Sequence, residues 1–410
     1  MTSLLTIDEF ASAVRKGLGR AVLALDEPVP DAYHQVILTA CQEDQRYDRQ
    51  CEDRRTDYLM ALLDRARIAD RFLESALAPL ENECDTRTRS LRMQMLGQFA
   101  RRGRDEAWTV LVGYASTGME EAWDALELVG ARGIDWLTAH VLPGLPSEER
   151  WRTVSWLDCD GLSPSTVAVL TEVQREQDAA REARPKPRSK MPKTFVGALK
   201  KVQRESRYTS VLRRLADVLT VEEVQLVAKL WLTESNPGRG ASYADLFSEC
   251  DFPFPIESLL DLVKSGKAPH DYEEVLSRIS HPAARNHGLA LLSRPEPNWR
   301  GYACLQSSFS AEDEPFLESA LSSFTSLSAD DLHALGYPLM EVAQRMESPE
   351  LRFAMLRWVY ENTPCSLCRS KPVEEMVKHG VLPDFYRREL EFDADSYSRE
   401  LATGRAKPGD

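Results

Sequence analysis

The 410-residue chain has no uncharged apolar run approaching the roughly 20 residues that a membrane-spanning helix needs, so no membrane partner is expected. Phosphate loops are missing too: neither GxxxxGKS nor GxxxxGKT occurs, and Gly17-Leu-Gly19-Arg20 reads as the interior of a helical pattern. There is no GxSxG elbow, no HExxH pair and no EF-hand spacing, which excludes the usual hydrolase, zinc-protease and calcium-loop signatures. Histidine is scarce, with seven residues spread singly. His34, His140 and His333 read as packed or surface residues, and His281 and His287, six apart, fall on different helix faces. Strand signals are poor, because no alternating run is bounded by Asn-Gly or Asp-Gly and β-branched residues rarely cluster. The start, MTSLLTIDEF, lacks the order of a secretory signal, since Asp8 and Glu9 interrupt its apolar stretch, and the ending RAKPGD carries no lipidation motif. Cysteine usage is ordinary, with Cys41, Cys51, Cys84, Cys159, Cys250 and Cys304 scattered along the chain. These features predict a cytoplasmic protein with reduced thiols.

What is present is helical. Leu91, Met95 and Phe99 share a face with Leu96 beside them. Phe316, Leu317, Ala320 and Leu321 repeat that spacing, as do Leu351, Met355, Leu356 and Val359. Thr6-Ile-Asp-Glu9 and Thr220-Val-Glu-Glu223 are capping boxes, in which the hydroxyl takes a first-turn amide and the acid reaches back. Ser163-Pro164 and Ser348-Pro349 put a cap before a proline at the first helical position. Ser147, Ser310 and Ser328 precede acidic first turns, which complement the helix dipole.

Four segments share a form: Asp85 to Arg89, His281 to Arg285, Ser348 to Arg352 and, more loosely, Asp393 to Arg399. Each sets a helix-start residue a few positions before an arginine and then an apolar helix. Arg89, Arg285, Arg352 and Arg399 are therefore expected at inter-helix junctions, reaching carbonyls or acids of the neighbouring turn. This pattern resembles the HEAT-repeat superfamily of α-solenoids over about half the chain, mainly 55–157 and 281–403. The resemblance implies an all-α fold of stacked antiparallel helix pairs forming an irregular HEAT-like solenoid. It also implies a scaffold role, with a macromolecular partner on one face and nucleic acid as the less common ligand.

The formal charge is −14, but it is unevenly spread. Residues 181–214 hold twelve Lys or Arg against Glu182 and Glu205, a net +10, so the remainder carries −24. The Pro-containing part, 179–194, reads as a basic linker between a helical array at 1–178 and a second at 195–403, with 404–410 as a tail. From Lys193 to Arg214 the band reads as one basic helix, with Lys200, Lys201, Arg204, Arg207, Arg213 and Arg214 to grip phosphates and Tyr208 to stack on a base. The plainer reading is a solvated linker or a strap onto the chain's own acids.

Cys365-Ser-Leu-Cys368, before a helix expected to start near Pro372, is half of a metal or redox signature. Zinc needs further ligands, for which His379 and Cys304 are nearest in sequence; structural cysteines are the plainer reading. The pairs Glu222-Glu223, Asp330-Asp331 and Glu374-Glu375 are expected in first turns, as dipole partners rather than acid–base pairs. Trp108, Trp123, Trp136, Trp151 and Trp156 fall at helical spacing and read as core, with any exposed one an anchor for a protein partner. No catalytic residue and no cofactor is indicated. The expectation is a non-catalytic scaffold whose acidic surface selects a basic protein. Nucleic-acid binding through 181–214 and thiol or metal chemistry at Cys365 and Cys368 are the alternatives.

Overall fold

The computed structural model describes residues 5–26, 29–48, 55–80, 85–146, 149–183, 192–269, 271–294, 298–324 and 327–406, with the side chains of 151, 152, 154 and 183 left out. Among the described residues the regular structure is all helical, with no strand. In chain order the first ten α-helices are α1 Ile7–Lys16, α2 Arg20–Leu23, α3 Asp31–Gln42, α4 Arg55–Arg65, α5 Ala69–Ala76, α6 Thr86–Arg101, α7 Asp105–Ser116, α8 Glu120–Leu128, α9 Ala131–His140 and α10 Pro164–Ala183. There follow α11 Phe195–Arg204, α12 Val221–Thr233, α13 Pro237–Ala244, α14 Ile256–Lys264, α15 Tyr272–Ser277, α16 Pro282–Leu292, α17 Gly301–Leu305, α18 Glu314–Leu321, α19 Ala329–Arg345 and α20 Pro349–Asn362. The last three are α21 Ser366–Lys378, α22 Asp384–Leu390 and α23 Ser396–Thr403. None is long and apolar enough to cross a membrane.

The caps form as the residue types dictate. Thr6 and Thr220 complete reciprocal capping boxes with Glu9 and Glu223. Ser348 accepts from the Leu351 amide and Ser328 from that of Asp331. Ser147 lies outside the described residues. Two expected starts are corrected. Gly17 and Gly19 lie between α1 and α2, because Gly17 takes φ 75°, a left-handed conformation that ends α1. Helix α21 begins at Ser366 and carries Pro372 inside it, so Glu374 and Glu375 lie in its later turns, not its first.

The chain divides into two compact units. The first comprises Met1–Lys186, Pro364–Ser370 and Leu382–Asp410; the second comprises Pro187–Thr363 and Lys371–Val381. The change between them after Lys186 falls inside 179–194, although α10 already occupies that stretch as far as Ala183. Residues 382–403 differ from the expected second array by belonging to the first unit. There the Ala394 amide donates to the Gly17 carbonyl at 2.8 Å, and Arg20 Nε to the fully buried Glu389 carboxylate at 2.8 Å. Phe10 stacks on Tyr33 with centroids 3.8 Å apart, and Phe72 on Phe99 at 6.1 Å, and Leu59, Met60, Leu62 and Leu63 of α4 are fully buried in the same unit.

The second unit is centred on Trp231, which packs against Phe247 and, edge-on, Phe252, each at 5.7 Å. Val202, Leu212, Leu246, Leu259 and Leu276 close around them. Burial of rings and branched chains at these spacings is the main favourable term holding either unit together.

Candidate functional site

Helix α8 has two unlike faces. Ala122, Ala125 and Leu126 are fully buried, while Glu120, Trp123, Asp124 and Glu127, at spacing i, i+3, i+4, i+7, share the opposite side. The buried side is small enough for very close packing. A β-carbon on Gly97 of α6 would lie 2.7 Å from the Ala125 carbonyl oxygen, and one on Gly133 of α9 only 1.8 Å from that of Leu126. Both neighbours thus approach the α8 backbone through glycine, which fixes where the other face points.

That face lines a small cavity of about 40 Å³ in the first unit. Glu120, Trp123, Asp124 and Glu127 form one wall; Leu137 and Val141 come from the end of α9 and just beyond it. Leu145, Glu149, Thr153 and Trp156 complete it from 145–156, where a 3-10 segment, Arg150–Asp158, packs against α10. Thr153 Oγ1 donates to the Arg150 carbonyl at 2.7 Å, and Arg150 Nε to that of Leu145 at 3.2 Å, which secures this stretch. Trp123 Nε1 donates to the Ala115 carbonyl at 3.0 Å, which fixes that indole.

Two groups in this cavity are poised. Burial pushes the Glu127 carboxyl up, against the pull of the Trp156 indole and with help from Asp124, to about 6. Trp156 is 6% exposed, and its indole lies near enough to Glu127 to lower that carboxyl's affinity for a proton. The cavity shares Glu120 and Asp124 with an open groove of about 570 Å³, which also takes in Arg89, Thr117, Met119 and Glu121. Arg89 is neutralised there by Glu121, donating Nε and Nη2 to one oxygen at 3.0 and 2.6 Å. Between Asp105 and Asp135 the sequence holds seven acids and one base, Arg132, which sits 4.1 Å over the Trp108 ring and pairs with Asp105 at 3.1 Å. The arrangement offers negative charge beside indole surface, suited to a cation.

Of the tryptophans expected in the core, only Trp156 is buried among these; Trp108, Trp123 and Trp136 are half-buried, and the Trp151 side chain is outside the description. Trp136 stacks on His140 at 4.7 Å. The α8 stripe was readable in EEAWDALEL as alternate acid–Trp and Ala–Leu faces, but each acid pair and each Trp has a plain explanation when taken alone.

The basic band is not one helix. Helix α11 ends at Arg204, and the chain at Ser206 and Arg207 runs against Gly238, 2.4 Å from where its β-carbon would be. Arg213 is drawn to Glu249 at 2.8 Å and Asp245 at 3.7 Å, and Tyr208 donates to Asp245 at 3.0 Å, so these two act as a strap onto acids of their own unit. Lys193, Lys200, Arg204, Arg207 and Arg214 are exposed and form no ion pair among the described residues; Lys201 is half-buried. Arg184, Lys186, Arg188 and Lys190 lie outside the description.

The four junction arginines reach neighbouring turns. Arg285 donates Nε and Nη2 to Asp313 at 2.8 and 2.6 Å. Arg352 donates to the Ala343 and Met346 carbonyls, and Arg399 to those of Asp393 and Ala394.

Cys365, immediately before α21, is buried and Cys368, in its first turn, is half-buried; neither is in a disulfide among the described residues. His379 is held in the second unit by Arg352 at 3.3 Å and Glu375 at 3.3 Å. Cys304 is buried, and burial raises its thiol, as it raises that of Cys41 to about 12, so neither is a ready nucleophile. Cys51 and Cys84 are outside the description. A larger cavity of about 310 Å³ in the second unit is lined by Phe247, Cys250, Phe252 and Arg278, but there the Cys250 thiol already donates to Ala216 and Arg278 to Ser248. No family model matches the chain, and no curated protein or solved structure does either.

Proposed function

We propose that this chain is a non-catalytic helical scaffold that binds a basic protein through the acidic, tryptophan-bearing face of α8. The observation that carries the reading is the alignment of Glu120, Trp123, Asp124 and Glu127 on one side of a helix whose other side is locked into the core. Carboxylates with adjacent indole surface favour cationic side chains, and complementary charge raises the rate and selectivity of encounter. On this reading the helix pairs stack as a HEAT-like solenoid. Its support is that Arg89 and Arg285, at matching places in the sequence pattern, each grip an acid about one helix pair further on, Glu121 and Asp313.

The test is calorimetric titration of the full chain with a short lysine- and arginine-rich peptide, an acidic peptide and a single-stranded oligonucleotide, at low and high salt. Binding of the basic peptide alone, weakened in a Glu120→Lys/Asp124→Lys variant, is expected. Absence of basic-peptide binding at low salt overturns the reading.

A second reading rests on α11. Lys200 and Arg204, one turn apart, are exposed and form no ion pair among the described residues, with Arg207 and Arg214 nearby in the sequence. This stripe suits a phosphate backbone, and the oligonucleotide arm tests it: binding must fall steeply with salt and vanish in Lys200→Glu/Arg204→Glu.

A further inference from the structure

We infer that the cavity beside Phe252 in the second unit is a binding site for a small zwitterion, a free α-amino acid with an apolar side chain, whose carboxylate meets Arg278 and whose ammonium meets Asp251. The inference does not depend on the acidic face of α8.

The cavity, of about 310 Å³, falls within the range of small-molecule sites. Its apolar wall is built in advance. Phe252 is held edge-on by three rings, Phe247 at 5.4 Å, Trp231 at 5.7 Å and Phe254 at 5.8 Å, and Ile279 lines the same space. The segment that carries Phe252 is tied down at Glu249 by Arg213, at 2.8 Å, and at Cys250, whose thiol donates to the Ala216 carbonyl at 3.7 Å. A wall already fixed costs little further ordering when a ligand arrives.

Two charged groups of opposite sign line this cavity uncommitted. Arg278 is exposed and donates to the Ser248 carbonyl at 3.4 Å, but it forms no ion pair among the described residues. Its guanidinium keeps donors enough for a bidentate grip on a carboxylate. Glu274, one turn earlier on α15, acts on Arg278 through its field without closing an ion pair. Asp251 is exposed and makes no hydrogen bond or ion pair among the described residues. The other acid of the lining, Glu249, is the one already met by Arg213. Arg278 and Asp251 do not pair with each other, so each is open to a ligand. An amine alone leaves the guanidinium unmatched, and a carboxylate alone meets Asp251 as a like charge. A molecule that carries both charges answers both groups, and an apolar side chain covers the ring of Phe252 and Ile279.

The probes are L-leucine and L-phenylalanine, with glycine, isoamylamine (leucine without its carboxylate) and isocaproate (leucine without its amine), titrated into the full chain by calorimetry. Leucine or phenylalanine should bind about tenfold more tightly than glycine or either leucine analogue. Arg278→Gln should lose about that factor for the amino acid and leave isoamylamine unchanged. Asp251→Asn should lose it for the amino acid without weakening isocaproate. Both side chains are exposed, so each variant should keep the fold, which circular dichroism checks. Absence of binding by both amino acids at millimolar concentration overturns the site. So does equal binding of leucine and isoamylamine, equal binding of leucine and glycine, or an unchanged affinity in both variants.

Discussion

Gly133 meets the Leu126 carbonyl so closely that a β-carbon would sit 1.8 Å from its oxygen. This contact, with that of Gly97 on Ala125, presses α8 between α6 and α9 and sets the direction of its acidic side. Gly133→Ala should therefore destabilise the protein by about 2 kcal/mol or more, as overpacking of a tight core does. Gly113, on α7 with nothing within 4 Å of a β-carbon, is the control. Gly113→Ala should be neutral or stabilising by about 0.5–1 kcal/mol, because alanine is the better helix former. Chemical denaturation followed by tryptophan fluorescence distinguishes the two, and a shared sign would contradict the packing argument.

The Arg285–Asp313 pair joins α16 to the turn before α18 by two charge-assisted hydrogen bonds. Burial would raise the Asp313 carboxyl, but Arg285 and Ser310 outweigh it and hold it below the usual range. A lowered folded pKa means stability that is present above the unfolded pKa and lost as pH falls through the folded one. Arg285→Ala should cost about 2 kcal/mol at neutral pH and less in acid, where Asp313 is protonated in both states. A double-mutant cycle with Asp313→Asn gives the coupling; a value near zero would contradict it.

Glu127 has the opposite sign. Its folded pKa, about 6, lies above the ordinary carboxyl value, so its contribution is present in full below the unfolded pKa and lost as pH rises through about 6. Partial exposure discounts that contribution to about 1 kcal/mol. Wild type should lose about that much more stability than Glu127→Gln between pH 4 and 7. Binding of a cation should run the other way and strengthen as pH rises, since the ionised carboxylate is the form that binds. Parallel denaturation and titration series check both directions.

The C-terminal helices α22 and α23 are structural members of the first unit. A chain ending at residue 381 loses Glu389, the partner of Arg20, and the Ala394 amide that donates to Gly17. Amide exchange in α1 and α2 should accelerate in that variant. Unchanged protection would show that these contacts contribute little to local stability.

Much of the helical content was legible in the sequence because capping is local. Thr6, Thr220, Ser328 and Ser348 cap helices where hydroxyl and acid spacing said they would. Helix ends set by tertiary contacts were not: α11 stops at Arg204 where the chain runs onto Gly238, and α21 carries Pro372 inside it. Nor was the return of 382–403 to the first unit, since the Gly17–Ala394 and Arg20–Glu389 contacts span most of the chain. The α8 stripe was present in the sequence, but its meaning depends on Trp156 and Glu149 arriving from a different segment. The strap formed by Tyr208 and Arg213 likewise needed the position of Asp245.

Hydrogen exchange of the full chain, with and without a lysine-rich peptide, tests the central claim most directly. The account predicts slowed exchange in residues 117–128 and 141–156, with no such change in Glu120→Lys/Asp124→Lys. Protection elsewhere, with none in those two segments, would contradict it.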